Sequence, residues 1–557
     1  LCCGVVLSPE RVRPQLAAQK GGADVVFDAE GVRVGGARML AVVTLRPGVS
    51  GRHYRLPVPA DYAAVREAQI RLKTLLDAWE QSGRQGLCPV PDEPLPPIGT
   101  LGFRVQRYGM LRWGDLFTAR QKLALATIGA LAARRRDDAA EALSCSVSRL
   151  ADKNASLAVW NEFAEKIEHV FGRQALPIVW DFAEVAIFSD ATGNFASGTE
   201  LIHEVLERGP SSQPGQIQPA DATGHPLPDD TAAVWFTDPP YYDAVPYADL
   251  SDFFYVWLRR ALPGHPLLGE LLSPKQMEIV QDETKRDMNR PKDRQWFEQK
   301  MAVAFAEGRR VMREDGVGCV VFAHKTTEGW EALLTGMIRG GWTITGSWPI
   351  ATERPGRLRS QDSAALATSV HLIVRPRPED AGTGDWAGVL RELPRRVAEW
   401  MERLQGDGVR GADLIFACIG PALEIFSRFA RVETAAGEEI TLPKYLEKVW
   451  EVVGRSALAR VLGTAEGAAR NGALGVLEED ARLTALFLWT LQSTDGRTAH
   501  TDNGGGEETE ADEEDEAAPP ARGSGEKLGF DVVRRFAQPL GIGLAQWEGR
   551  IIETAKG

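Results

Sequence analysis

Cysteine is scarce in this chain, with six in 557 residues at positions 2, 3, 88, 145, 319 and 418. Thiols scattered so widely do not make a disulfide framework, which suits a reducing interior. Long apolar runs are missing as well. No window offers about 18 uninterrupted apolar residues, and the opening LCCGVVLSPERV has no basic stretch leading into an apolar one. Neither a membrane span nor a secretory leader is expected, and the cytoplasm is the expected compartment. The formal charge of −13 would disfavour a polyanionic partner if it were evenly spread, but EETEADEEDE (507–516) alone holds eight acids and no base. Without those eight the body stands at −5, close enough to neutral to carry a basic groove.

What is present is ordinary core material, 44% hydrophobic residues, in a length that suits about three or four domains. Residues 1–60 hold short β-like runs such as ADVVFDAEGVRV and MLAVVTLRP, the pattern of a small strand-rich module. Its first residues include the pair Cys2-Cys3. Cys3-Gly4 fits the second half of a C-x-x-C-G zinc knuckle whose first cysteine would precede residue 1, so the chain reads as a fragment; the alternative is a pair of free thiols. Residues 61–207 are mainly helical in period, as in LFTARQKLALATIGALAARRR.

From 208 to 380 short apolar runs alternate with helical ones, which predicts a wound α/β sheet with parallel strands. Its expected strands are IQPADA, AAVWFT and GVGCVVFAHK, closed by WTITGSWPI and SVHLIVRPR as an antiparallel edge hairpin. Residues 381–492 return to helical periodicity, 493–527 form a Gly- and acid-rich linker that cannot bury a core, and 528–557 suffice for a short helical segment.

The stretch FTDPPYYDAVPYADLSDFF (236–254) concentrates the chemistry. Ligands of open α/β sheets bind beyond the carboxyl ends of the strands, and Asp238 follows AAVWFT directly. Consecutive prolines keep the backbone extended and remove two N–H donors while leaving their carbonyls free to accept. A carboxylate beside a proline carbonyl offers two acceptors at fixed spacing, which an exocyclic amino group with its two protons needs. An aromatic ring just beyond, Tyr241, can stack on a base extruded from a duplex.

Asp238-Pro239-Pro240-Tyr241 thus resembles the catalytic motif of the amino-group DNA methyltransferases, with the leading Asp favouring adenine N6 over cytosine N4. The similarity extends to TLGFRVQRYGMLRWGDLFTARQ (100–121), FGRQALPIVWDFAE (171–184), DPPYYDAVPYADLSDFFYVWLRR (238–260), FAHKTTEGWEALL (322–334) and ADLIFACIGPALEIFSRF (412–429). These segments resemble the large bacterial and archaeal adenine-specific DNA methylases that carry a zinc ribbon, over nearly the whole chain.

The resemblance implies a partial Rossmann-like methyltransferase core flanked by helical regions, with 61–207 in target recognition and 1–60 as the remnant of the ribbon. It implies S-adenosylmethionine as methyl donor, a structural zinc with Cys3 as a ligand, double-stranded DNA with a flipped adenine as substrate, and partner proteins of a restriction-modification or phage-defence system. Asp238 and the Pro239 carbonyl would hold the amine, with Pro240 stiffening the tip and Tyr241 stacking on the base. Tyr242 would either support that ring or pack inward. Asp221 would lie near the cofactor's adenine or serve as a helix cap or Asx turn. Lys325 would reach substrate or phosphate or stay solvated, and His324 is either functional or a satisfied structural residue.

The basic groups of ETKRDMNRPKDRQW (283–296) and ERPGRLRSQ (353–361) suit phosphate contacts or plain solvation. The family's glycine-rich cofactor loop lies upstream of the ribbon. No D-x-F-x-G-x-G-like sequence occurs in these 557 residues, and the single glycine of ACIGPALE (417–424) reads as a helix lead-in, so weak cofactor binding is expected. A nucleic-acid-binding subunit without turnover, or an amino methyltransferase acting on RNA, are the competing readings.

Overall fold

The computed structural model describes residues 8–461 apart from 19–22, 47, 136, 138, 173, 210–214, 325–326, 351–368, 410–413 and 415–416. The chain divides into two compact units, Leu1–Ile217 with Val245–Glu278, and Gln218–Ala244 with Ile279–Gly557. The expected regions at 493–527 and 528–557, the loop 353–361, and residues Cys3 and Lys325 lie outside the described residues.

In the first unit, helix α1 (Pro9–Ala18) precedes two antiparallel hairpins, β1 (Val25–Phe27) with β2 (Arg33–Gly36) and β3 (Val42–Arg46) with β4 (Val49–Arg55). Helix α2 (Pro59–Gln81) starts where Asp61 accepts from the Val58 N–H, and α3 (Ala119–Ala133) starts at a reciprocal Thr118/Gln121 cap. Helix α4 (Ala139–Lys153), the small hairpin of β5 (Trp160–Asn161) and β6 (Lys166–Ile167), and α5 (Phe195–Arg208) follow.

The chain then leaves this unit and returns for α6 (Tyr247–Ala261), so the span 208–380, read above as one core, is divided between the two units. The reason is in the face α6 buries. Phe253 stacks on Phe117 with ring centroids 5.5 Å apart, and Trp257 meets Phe117 edge-on at 5.3 Å. At the helix's end Arg259 and Arg260 both reach the buried Glu93 carboxylate, at 3.1 and 2.9 Å.

The second unit is built on a four-stranded sheet. Its strands are β7 (Ala232–Thr237), β10 (Met312–Phe322), β11 (Trp342–Ile350) and β12 (Ser369–Pro376), in the order β11-β12-β10-β7. A short hairpin of β8 (Asp282–Asp287) and β9 (Arg290–Lys292) precedes α7 (Arg294–Val311), and α8 (Thr327–Arg339) joins β10 to β11. The sheet is mixed: β7 and β10 run parallel, while β12 is antiparallel to both its neighbours. The expected antiparallel pair of β11 and β12 is present, with β12 inserted beside β10 and β11 outermost.

The expected strand IQPADA is not formed. Residues 215–231 carry no strand, Pro219 has no N–H to donate, and no described strand lies on the outer edge of β7 to receive one. One face of the sheet packs on helices: Trp235 stacks on Trp342 at 5.0 Å and meets Phe305 of α7 edge-on at 5.7 Å. On the other face Val234 and Phe236 are 68% and 63% exposed.

The glycine of ACIGPALE belongs to the helix Ile419–Ser427, where a Cβ on Gly420 would lie 2.5 Å from the Gly346 backbone; it is a packing glycine. No helix among the described residues is long and apolar enough to cross a membrane.

The Glu93 pairing yields a stability prediction. Glu93→Ala removes the carboxylate shared by two buried guanidinium groups, leaving Asp92 to Arg260 at 3.5 Å, and is expected to cost about 3–5 kcal/mol. Thermal unfolding of the variant checks this; a melting temperature equal to wild type would show that the arginines find other acceptors.

Candidate active site

Strand β7 ends at Thr237, which pairs in parallel register with Val320 of β10, and Asp238 follows at the strand's carboxyl end. Asp238 is exposed, Pro239 is buried and Pro240 is half-buried. No hydrogen bond or ion pair among the described residues engages the Asp238 carboxylate or the Pro239 carbonyl. The Pro240 carbonyl is used differently, since it accepts the Tyr242 N–H at 2.9 Å and closes a tight turn, which the Ala244 N–H extends by donating to the Tyr241 carbonyl at 3.0 Å. Two acceptors thus have no protein partner among the described residues while the third makes the bend.

The turn requires an unusual backbone. Tyr242 has φ +56°, the left-handed region, which costs a residue with a Cβ about 1–2 kcal/mol. Its side chain offsets that cost. Of the two places open to Tyr242, the structure has it inward, only 4% exposed, its ring edge-on to Phe297 at 5.1 Å and to His324 at 5.6 Å. The phenol donates to Glu328 Oε1 at 3.0 Å, and Glu328 lies 3.7 Å from Arg294 Nη1. Burial first, and then the Glu328 carboxylate, push the Tyr242 phenol well above the usual tyrosine range.

His324 is a buried residue with partners. Its Nε2 lies 3.0 Å from Asp243 Oδ1, its carbonyl accepts from Trp330 Nε1 at 3.0 Å, and its ring lies against the first turn of α8, where a Cβ on Gly329 would sit 2.3 Å from Nδ1. Tyr241 is half-buried, its ring edge-on to Phe322 at 5.4 Å, and Phe322 in turn stacks on His324 at 6.1 Å. Rings from β10 and from the turn therefore form one cluster behind the Asp-Pro-Pro-Tyr tip.

Asp221 stands apart from that tip's network. It is exposed, and its Oδ1 accepts from the Thr223 backbone at 2.8 Å and hydroxyl at 2.7 Å, which is the Asx-turn arrangement and holds its carboxyl below the ordinary range. Asp221 in its Asx turn and Gly420 in its packing contact are thus each accounted for locally. The basic segment 283–296 folds into β8, β9 and the start of α7, where Lys285 pairs with Asp282, Arg294 with Glu298 and Glu331, and Lys292 is buried over the Trp296 ring.

Sequence reasoning missed Glu328 and Asp243, and it took Arg294 only as one of the basic groups of 283–296. Each supports the tip through a contact between residues more than 30 positions apart, which leaves no local pattern. No family model, curated protein or solved structure matches the chain.

Tyr242 gives a prediction with a defined sign. Its raised pKa contributes stability that is fully present below the unfolded value of about 10 and is lost as pH rises through the folded value. Tyr242→Phe is expected to cost about 1 kcal/mol at neutral pH and to lose less stability than wild type above about pH 10. Urea midpoints at neutral and alkaline pH measure this, and parallel decline in the two proteins would remove Tyr242 as the source.

Proposed function

We infer that this protein belongs to the methyltransferases that act on the exocyclic amine of adenine in DNA, and that the Asp238–Tyr241 tip is its amine-binding site. One observation carries the reading: an exposed carboxylate and a proline carbonyl, both unengaged among the described residues, sit together at the carboxyl end of a parallel strand on a turn held by a buried left-handed tyrosine. Two acceptors suit a group that has two protons to give. A tip braced by buried rings keeps those acceptors from relaxing when the ligand is absent, which is the preorganisation that charge development requires.

S-adenosylmethionine would supply the methyl group as an activated sulfonium, so the protein's task would be alignment more than strong base catalysis. Asp238 and the Pro239 carbonyl would accept hydrogen bonds from the two N6–H groups and orient the nitrogen lone pair away from them. As nitrogen gains positive charge, the Asp238 carboxylate stabilises it, and the exposed position of that carboxylate gives the departing proton a route to solvent. Tyr241, half-buried against Phe322, offers its remaining surface to the purine. The mixed α/β sheet, with its parallel pair and antiparallel insertion, supports the Rossmann-like part of this reading.

The test is methyl transfer by the full-length protein to duplex DNA, with N6-methyladenine measured in the product. Asp238→Ala is expected to reduce transfer roughly 100-fold to 1,000-fold. Tyr241→Ala is expected to weaken DNA substrate use about tenfold through lost stacking. Equal activity of wild type and Asp238→Ala would exclude the tip as the site.

A further inference from the structure

The first unit carries a surface that methyl transfer at Asp238 does not use. In the 3-10 turn Val105–Tyr108 the side chains of Val105 and Gln106 are buried, Gln106 donating from Nε2 to the Pro96 carbonyl at 3.0 Å, and Arg104 and Arg107 are exposed. Helix α1 packs closely on the end of this turn. A Cβ on Gly109, which has φ +89°, would lie 2.7 Å from Ala17 Cα, so glycine permits both the bend and the approach. The approach brings the Arg13 guanidinium to 5.9 Å from the Tyr108 ring centre, while Arg13 Nε has no hydrogen-bond partner among the described residues.

Trp180 also meets Tyr108, at right angles with centroids 5.6 Å apart, and stays 62% exposed. Its loop is fixed to the same segment, with the Leu176 N–H donating to the Gly102 carbonyl at 2.8 Å. The segments 8–18, 101–112 and 176–182 contain Arg11, Arg13, Arg104, Arg107 and Arg112 against Glu10 and Asp181. None of these five arginines is in an ion pair among the described residues, in a chain whose formal charge is −13. Uncompensated arginines around an exposed indole that is braced by a tyrosine suit neither a core nor a merely solvated face. They suit phosphate groups next to an unstacked base.

We propose that this face, Arg13, Arg104 and Arg107 around Tyr108 and Trp180, is a nucleic-acid contact surface on which the arginines meet phosphates and Trp180 stacks on an unpaired base. It deepens the reading above and rests on it for the source of the unpaired base, a strand opened by nucleotide extrusion. The binding itself is measured without methyl transfer.

Fluorescence anisotropy of the full chain with a labelled single-stranded oligonucleotide of about 20 nucleotides, across roughly 50–200 mM salt, tests it. Trp180→Ala should weaken binding about tenfold and Trp180→Phe should restore most of that loss. The double substitution Arg104→Gln with Arg107→Gln should lower the slope of log affinity against log salt by roughly 1.5. Arg135→Gln, an exposed arginine outside the face, should change neither.

Unchanged affinity in Trp180→Ala, or an unchanged salt slope in the arginine double variant, overturns the proposal, as does an equal loss in Arg135→Gln. The arginine variant is confined to exposed side chains and decides the matter even if the tryptophan variant fails to fold. Transfer and oligonucleotide binding are read separately: wild-type transfer by Asp238→Ala counts against the Asp238 site alone, and intact binding in the face variants counts against this face alone.

Discussion

The buried, left-handed Tyr242 is the constraint on which the tip of the second unit depends. An L-residue at φ +56° stays there only if something outside the backbone holds it. Here the phenol's bond to Glu328 and the ring's contacts with Phe297 and His324 do so, and together they exceed the conformational cost. The consequence travels backwards along the chain. With the Tyr242 N–H directed to the Pro240 carbonyl, the two prolines are fixed as a rigid lead-in, and Asp238 and the Pro239 carbonyl are left with no internal use. Were Tyr242 to relax to an extended backbone, the turn would open and the acceptors would lose their fixed spacing.

Much of this was legible locally. The run AAVWFT followed by an acid and two prolines marked both the strand and its tip, because a central β-like run cannot continue through consecutive prolines. What was not legible depends on distant partners. IQPADA has strand-like composition, but a strand exists only when a neighbour supplies its hydrogen bonds, and none of the described strands does. The helix at 247–261 reads as part of the core that surrounds it in sequence; only the aromatic residues at 113–117 and the carboxylate at 93 determine where it packs.

The half of Tyr242's role that sequence left open shows the same limit. Two adjacent tyrosines after two prolines are equivalent in composition, and alternation alone would place them on opposite sides. The turn decides which side is interior, since the left-handed residue swings its ring back beneath β10 while Tyr241 keeps a half-exposed position over Phe322. Asp221 makes the complementary case: an acid at the end of an apolar run suggests a strand tip, yet with no strand beneath it the carboxylate satisfies the nearest donors, its own Thr223.

The two proposals place different demands on the chain, and the physical differences between the sites match them. Holding an amine for reaction needs few groups at fixed spacing, and the Asp238 tip has a rigid backbone, buried bracing rings and two acceptors. Holding a polyanion needs several cations at the surface and tolerates their motion, because the favourable term is counterion release rather than geometry. The arginines at 11, 13, 104, 107 and 112 have that character, with only the Tyr108–Trp180 pair held in place. A negative chain can carry such a face because its acids are concentrated elsewhere, eight of them within ten residues at 507–516. Net charge therefore says little about this protein's partners, and the local pairing of each arginine says much more.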